Sequence, residues 1–108
     1  MLVDDSAVSR GFMRKALSFD SNLEVVGTAT NGRMALDMLA QQEVDVMVLD
    51  LEMPEMDGLE ALPKILALKP KTRVIVSSAF TPAGSKKAVQ ALTAGASDCI
   101  QKPSTLGD

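Results

Sequence analysis

The chain has 108 residues, 46% of them hydrophobic and 23% charged, with a net charge of −3, one cysteine and no histidine. This length and apolar content suit one domain with a real core, and the acidic balance without long basic runs argues against a nucleic-acid surface. A lone cysteine forbids an internal disulfide and fits a reducing compartment, no apolar run approaches the ~18 residues that span a bilayer, and the lack of histidine excludes Ser-His-Asp and Cys-His catalysis, His-ligated zinc and phosphohistidine on this chain.

Met1-Leu2-Val3 reads as the end of a strand, short against the usual ~5–6 residues, running into Asp4-Asp5-Ser6. Ser6 can cap a helix whose apolar positions Val8, Phe12, Met13, Ala16 and Leu17 recur at helical spacing. A turn at Phe19 to Asn22 leads to a second strand expected over Leu23 to Thr30, with Gly27 as a bulge. Asn31-Gly32 punctuates it, and a helix with Met34, Ala35, Leu36, Met38 and Leu39 in its stripe runs to about Gln42.

The stretch Val44 to Gly58 organises the rest. Val46 to Leu49 read as a strand buried on both faces, because no polar residue alternates with the apolar ones, and the run stops at Asp50. After a loop from Leu51, Asp57 is the expected N-cap of a helix with Glu60 as capping-box partner and Leu59, Leu62, Ile65 and Leu66 on its apolar face. Pro63 should shorten or bend that helix, and Lys69-Pro70 ends it. A fourth strand, Val74 to Val76, exits through Ser77-Ser78-Ala79. A loop through Thr81 to Gly84 precedes a weakly amphipathic helix over Ser85 to Ala94, closed by Gly95. A fifth strand, Asp98 to Gln101, ends in Lys102-Pro103.

Strict alternation of strand and helix implies an α/β fold, a doubly wound five-stranded parallel sheet with right-handed crossovers. Residues 1–108 then form one domain, with the first strand clipped and the last helix missing. Part of one sheet face is expected to lie uncovered. In a parallel sheet the strand ends share one edge, so Asp4, Asp5, Asp50, Ser77, Ser78 and Lys102 should meet there. Three clustered carboxylates repel and raise a pKa unless a cation offsets them. Oxygen-only ligands suit Mg2+. A carboxylate nucleophile, a hard cation, a lysine and a hydroxyl are what aspartyl-phosphate formation needs.

With Val3-Asp4-Asp5-Ser6, Asp50 to Gly58, Ser77-Ser78-Ala79, Gly95-Ala96 and Lys102-Pro103 in one chain, the sequence resembles the receiver domain of two-component response regulators. Asp-Leu-Glu-Met-Pro-Glu-Met-Asp-Gly-Leu-Glu-Ala-Leu and Glu-Val-Val-Gly-Thr-Ala are most similar to the N-terminal regulatory domain of chemotaxis protein-glutamate methylesterases. The resemblance implies the flavodoxin-like strand order 2-1-3-4-5. It also implies that Asp50 accepts a phosphoryl group from a histidine kinase. Mg2+ would be held by Asp5, Asp50 and the backbone carbonyl of Glu52, with Asp4 acting through water. Lys102 would contact the phosphoryl group, Ser77 would be the switch hydroxyl with Ser78 beside it, and Pro103 would follow a cis peptide. Cys99 stands at the usual aromatic switch position, where its residue type alone reads as a small buried apolar group. The expected setting is the cytoplasm, with an output domain or downstream protein as partner, room for a homodimer, and no nucleic acid or membrane. The chain itself would not be an enzyme. The alternatives are an aspartate-nucleophile phosphatase, with Glu52 as its second acid, and a degenerate receiver acting only as a binding module.

Overall fold

The alternation read from the sequence is the architecture of the computed structural model, which describes residues 1–79 and 81–102. Strands β1 (Leu2–Val3), β2 (Thr28–Ala29), β3 (Val46–Asp50), β4 (Arg73–Ser78) and β5 (Asp98–Gln101) alternate with helices α1 (Ala7–Leu17), α2 (Gly32–Leu39), α3 (Gly58–Leu68) and α4 (Pro82–Thr93). Every pairing is parallel, and the strand order is β2-β1-β3-β4-β5, as expected. The connections leave in opposite directions from β1 and β3, so a crevice opens between the carboxyl ends of these neighbours.

Right-handed crossovers put α2, α3 and α4 on one face and α1 on the other. The core lies on the first of these faces. Val3, Met47, Leu49, Val74 and Val76 from the strands pack there against Ala35, Leu39, Ala61, Leu62, Ile65 and Ala91. The face under α1 is thinly covered, and this corrects two expectations. Val46 to Leu49 are not buried on both faces: Met47 and Leu49 are fully buried, but Val46 is 43% exposed. The stripe of α1 is not core either, since no α1 residue is buried and Val8 and Phe12 lie open to solvent. Among the described residues an apolar groove of about 330 Å3 runs between the end of α1 and the strands, lined by Leu17, Leu23, Val46, Val48 and Ile75.

Four local expectations shift. The second strand is not Leu23 to Thr30 but Thr28–Ala29, because it is an edge strand and its partner β1 offers two residues to pair with. Gly27 sits where an added Cβ would meet Met38 Cε at 2.6 Å, so it marks a close approach, not a bulge. The third helix runs through Pro63 over 11 residues, held by the burial of Ala61, Leu62 and Ile65. The fourth begins at Pro82, three residues before the expected Ser85, because Thr81 Oγ1 accepts from Gly84 N at 2.9 Å and proline suits the first helical turn. Gly95, the expected stop of this helix, takes φ +118, which favours glycine. The expectations for Pro103 and for the missing last helix fall on residues outside those described.

Two features fix the loop after β3. Asp57 caps α3 through its Oδ1, which accepts from Glu60 N at 2.9 Å. Gly58 lies against the Asp50 carbonyl and Leu51 Cα, so the chain can turn into α3 directly beneath the strand end.

Candidate functional site

Asp50 closes β3 and is 1% exposed. Its Oδ1 accepts from Glu52 N at 2.9 Å, and its Oδ2 accepts from Lys102 Nζ at 2.6 Å. Lys102 Nζ also lies 3.7 Å from Asp4 Oδ2. Asp4, Asp5 and Asp50 each bring a carboxylate oxygen within 4.8 Å of the other two. Residues from both ends of the chain therefore meet at one sheet edge, as the strand-end argument requires. Asp5 is exposed, Asp4 is half-buried and Asp50 is buried, so the cluster is open to solvent from one side.

Burial pushes the Asp50 carboxyl up to about 6, against the lowering effects of the Lys102 hydrogen bond, the Glu52 N–H and the Lys102 charge, with the Asp4 charge raising it further. For Lys102 burial works downward. The hydrogen bond and charge of Asp50, with the charges of Asp4 and Asp5, outweigh it and hold the ammonium above its ordinary value. Burial, more than the neighbouring acids, thus keeps the Asp50 carboxyl raised even beside the Lys102 ammonium. An oxygen-only donor set with a carboxyl so raised fits a hard divalent cation, which would favour the ionised form. Glu52 can add its carbonyl, to which no backbone N–H donates among the described residues. Its side chain is engaged elsewhere, since Oε1 accepts from Ala79 N at 3.3 Å. The acid that a phosphatase would need as its second carboxyl is therefore tied to the loop after β4.

Ser77 and Ser78 are both buried, but they part. Ser77 is the β4 partner of Asp50 in the parallel register, and it shares with Asp50 a cavity of about 20 Å3 beneath the acid cluster. Side chains alternate along a strand, so Ser78 points to the opposite face, toward the core. Cys99 pairs with Val76 and packs against the core as a half-buried residue, in keeping with its reading as a small apolar group.

The sequence alone does not single out Arg10. Its Nη1 donates to the Asp4 carbonyl at 2.7 Å, and it lines the cavity beneath Asp50. A signal was available: helical side chains lean toward the N-terminus, so a long basic residue in the second turn can reach back to the strand–helix junction.

The comparisons with known proteins agree with this geometry. The family model of the response regulator receiver domain matches residues 1–108. The chain is 47% identical over 105 residues to a protein-glutamate methylesterase/protein-glutamine glutaminase of Rhodospirillum centenum, a match covering 97% of this chain and 27% of that protein. The response regulator domain of Thermotoga maritima CheB superposes with a TM-score of 0.87 at 36% identity, covering 99% of this chain and 79% of that one. A response regulator of Burkholderia pseudomallei, solved with a phosphorylated aspartic acid, a calcium ion and citrate, matches with a TM-score of 0.80 at 25% identity, over 97% of this chain and 59% of that one. The chain thus spans about a quarter of the length of the methylesterase it matches.

Proposed function

Since the chain belongs to the response regulator receiver domain family, we propose that it is a phosphoacceptor switch whose nucleophile is Asp50. The observation that carries this reading is the buried Asp50 carboxylate held between Lys102 Nζ at 2.6 Å and Glu52 N at 2.9 Å, beside Asp4 and Asp5. The phosphorylated aspartic acid and calcium ion of the Burkholderia pseudomallei relative support both the acceptor type and a divalent cation.

In the proposed reaction a lone pair of the Asp50 carboxylate forms a new P–O bond to a phosphoryl group carried on a histidine kinase. The P–N bond breaks, and its electron pair stays on the imidazole. Mg2+, held by Asp5, Asp50 and the Glu52 carbonyl with Asp4 acting through water, would supply charge neutralisation for the transferred group. Lys102 holds the carboxylate before transfer and a phosphoryl oxygen after it. Transfer adds about −1.5 to −2 charges at the sheet edge. Ser77, already beside Asp50, is the hydroxyl drawn onto the new group. The contact from Ala79 N to Glu52 then links the event to the segment from Ala79 to Ala94, biasing a two-state equilibrium.

In a protein of the methylesterase type this domain would govern an output domain beyond it, in the cytoplasm and in response to a chemotaxis kinase. Phosphorylation with acetyl phosphate and magnesium, followed by amide NMR, tests the switch. Shifts should concentrate at Ser77, Lys102 and the segment from Ala79 to Ala94, and Asp50→Asn should show none. Equal shifts in the variant would overturn the reading.

A further inference from the structure

We propose that Arg10 is a positioning residue that sets the spacing of the two β1-end acids, Asp4 and Asp5, for the divalent cation. This rests on reading Asp4, Asp5 and Asp50 as a cation-dependent phosphoacceptor site. The junction from β1 to α1 carries both acids on adjacent residues, so the peptide between them decides how their side chains diverge. Three bonds hold the junction. Asp4 N donates to Ala29 O at 3.0 Å, which fixes the peptide before Asp4. Ser6 N donates to Asp4 Oδ1 at 2.9 Å, which fixes the peptide after Asp5. The peptide between them is held from the side by Arg10, whose Nη1 donates to the Asp4 carbonyl at 2.7 Å. A charged donor makes this a strong bond, and the plane of that peptide turns with it.

The choice of a carbonyl as partner matters. Among the described residues no carboxylate of the cluster forms an ion pair with Arg10, and Lys102 takes that part for Asp4 and Asp50. Arg10 lines the cavity under Asp4 and Asp50, so it adds positive charge beneath the site without occupying a carboxylate oxygen. Asp4 Oδ1 already accepts from Ser6 N, and Asp50 from Glu52 N and Lys102 Nζ, so Arg10 places no further claim on those oxygens.

The test measures magnesium affinity by calorimetry and labelling by acetyl phosphate, in wild type, Arg10→Ala, Arg10→Lys and Arg10→Gln, with folding followed by circular dichroism. Removing such an outer-shell partner should weaken magnesium binding roughly tenfold to hundredfold, and Arg10→Lys should recover most of the loss. Arg10→Ala binding magnesium as tightly as wild type overturns the proposal, whatever happens to its melting temperature. If Arg10→Ala does not fold, the comparison of Lys with Gln decides: tighter binding by the Lys variant supports the proposal, and equal binding overturns it. Wild type that binds magnesium without labelling at Asp50 would strike down the phosphoacceptor reading and leave the Arg10 proposal to the binding arm. Wild type that binds no magnesium overturns both.

Discussion

The raised carboxyl of Asp50 makes stability without metal depend on pH in a direction opposite to that of most acids. Its value in the fold is about 6, against 3.8 in its absence. The folded state therefore holds the proton more tightly than the unfolded chain does. The stabilisation is fully present below the unfolded value and is lost as pH rises through about 6. A gap of about two pH units, at about 1.4 kcal/mol each, makes roughly 3 kcal/mol. That is a large share of the ~5–15 kcal/mol that typically separates folded from unfolded states. The assay is urea denaturation followed by circular dichroism, with chelator present, across the range from acid to neutral pH. Asp50→Asn mimics the protonated form and removes this titration, so the difference between the two proteins isolates it from every other acid. Wild type should fall below Asp50→Asn as pH rises through about 6, by on the order of 2–3 kcal/mol, and magnesium should restore wild type alone. A flat difference curve, or one that rises with pH, would refute the electrostatic account of the site.

Lys102→Ala removes the 2.6 Å bond to Asp50; labelling by acetyl phosphate should slow by roughly a hundredfold or more, and NMR titration should find the Asp50 carboxyl raised further. Gly58→Ala puts a Cβ against the Asp50 carbonyl and Leu51 Cα, and urea denaturation should show a loss of about 1–3 kcal/mol. Gly11→Ala, mid-helix in α1 with nothing within 4 Å of the added Cβ, should instead gain roughly 0.5–1 kcal/mol in the same assay.

Much of this was legible because parallel strands expose their carboxyl ends at one edge. Asp4, Asp5, Asp50, Ser77 and Lys102 could be brought together from alternation alone, and the structure joins Asp50 to Lys102 across 52 residues. The capping of α1 by Ser6 and of α3 by Asp57 followed from local side-chain chemistry and is observed. What was not legible depended on partners elsewhere in the fold. The apolar spacing of α1 promised a buried stripe, but burial depends on what lies opposite, and Val8 and Phe12 stay open. The length of β2 was set by the two residues of β1 that it can pair with, not by its own β-branched run. Pro82 reads as loop in the sequence because its neighbours look like turn residues, whereas the cap from Thr81 makes it helical. The division of labour between Ser77 and Ser78 is invisible in a pair of identical letters and follows only from the register with Asp50. Arg10 escaped because its partner is a backbone carbonyl, which carries no sequence signature.

The central claim is that Asp50 is the residue that takes the phosphoryl group. Intact-protein mass spectrometry after incubation with acetyl phosphate and magnesium tests it most directly. Wild type should gain the mass of one phosphoryl group in a form cleaved by hydroxylamine, as an acyl phosphate is, and Asp50→Asn should gain none. Equal labelling of Asp50→Asn, or label on wild type that survives hydroxylamine, would contradict the account.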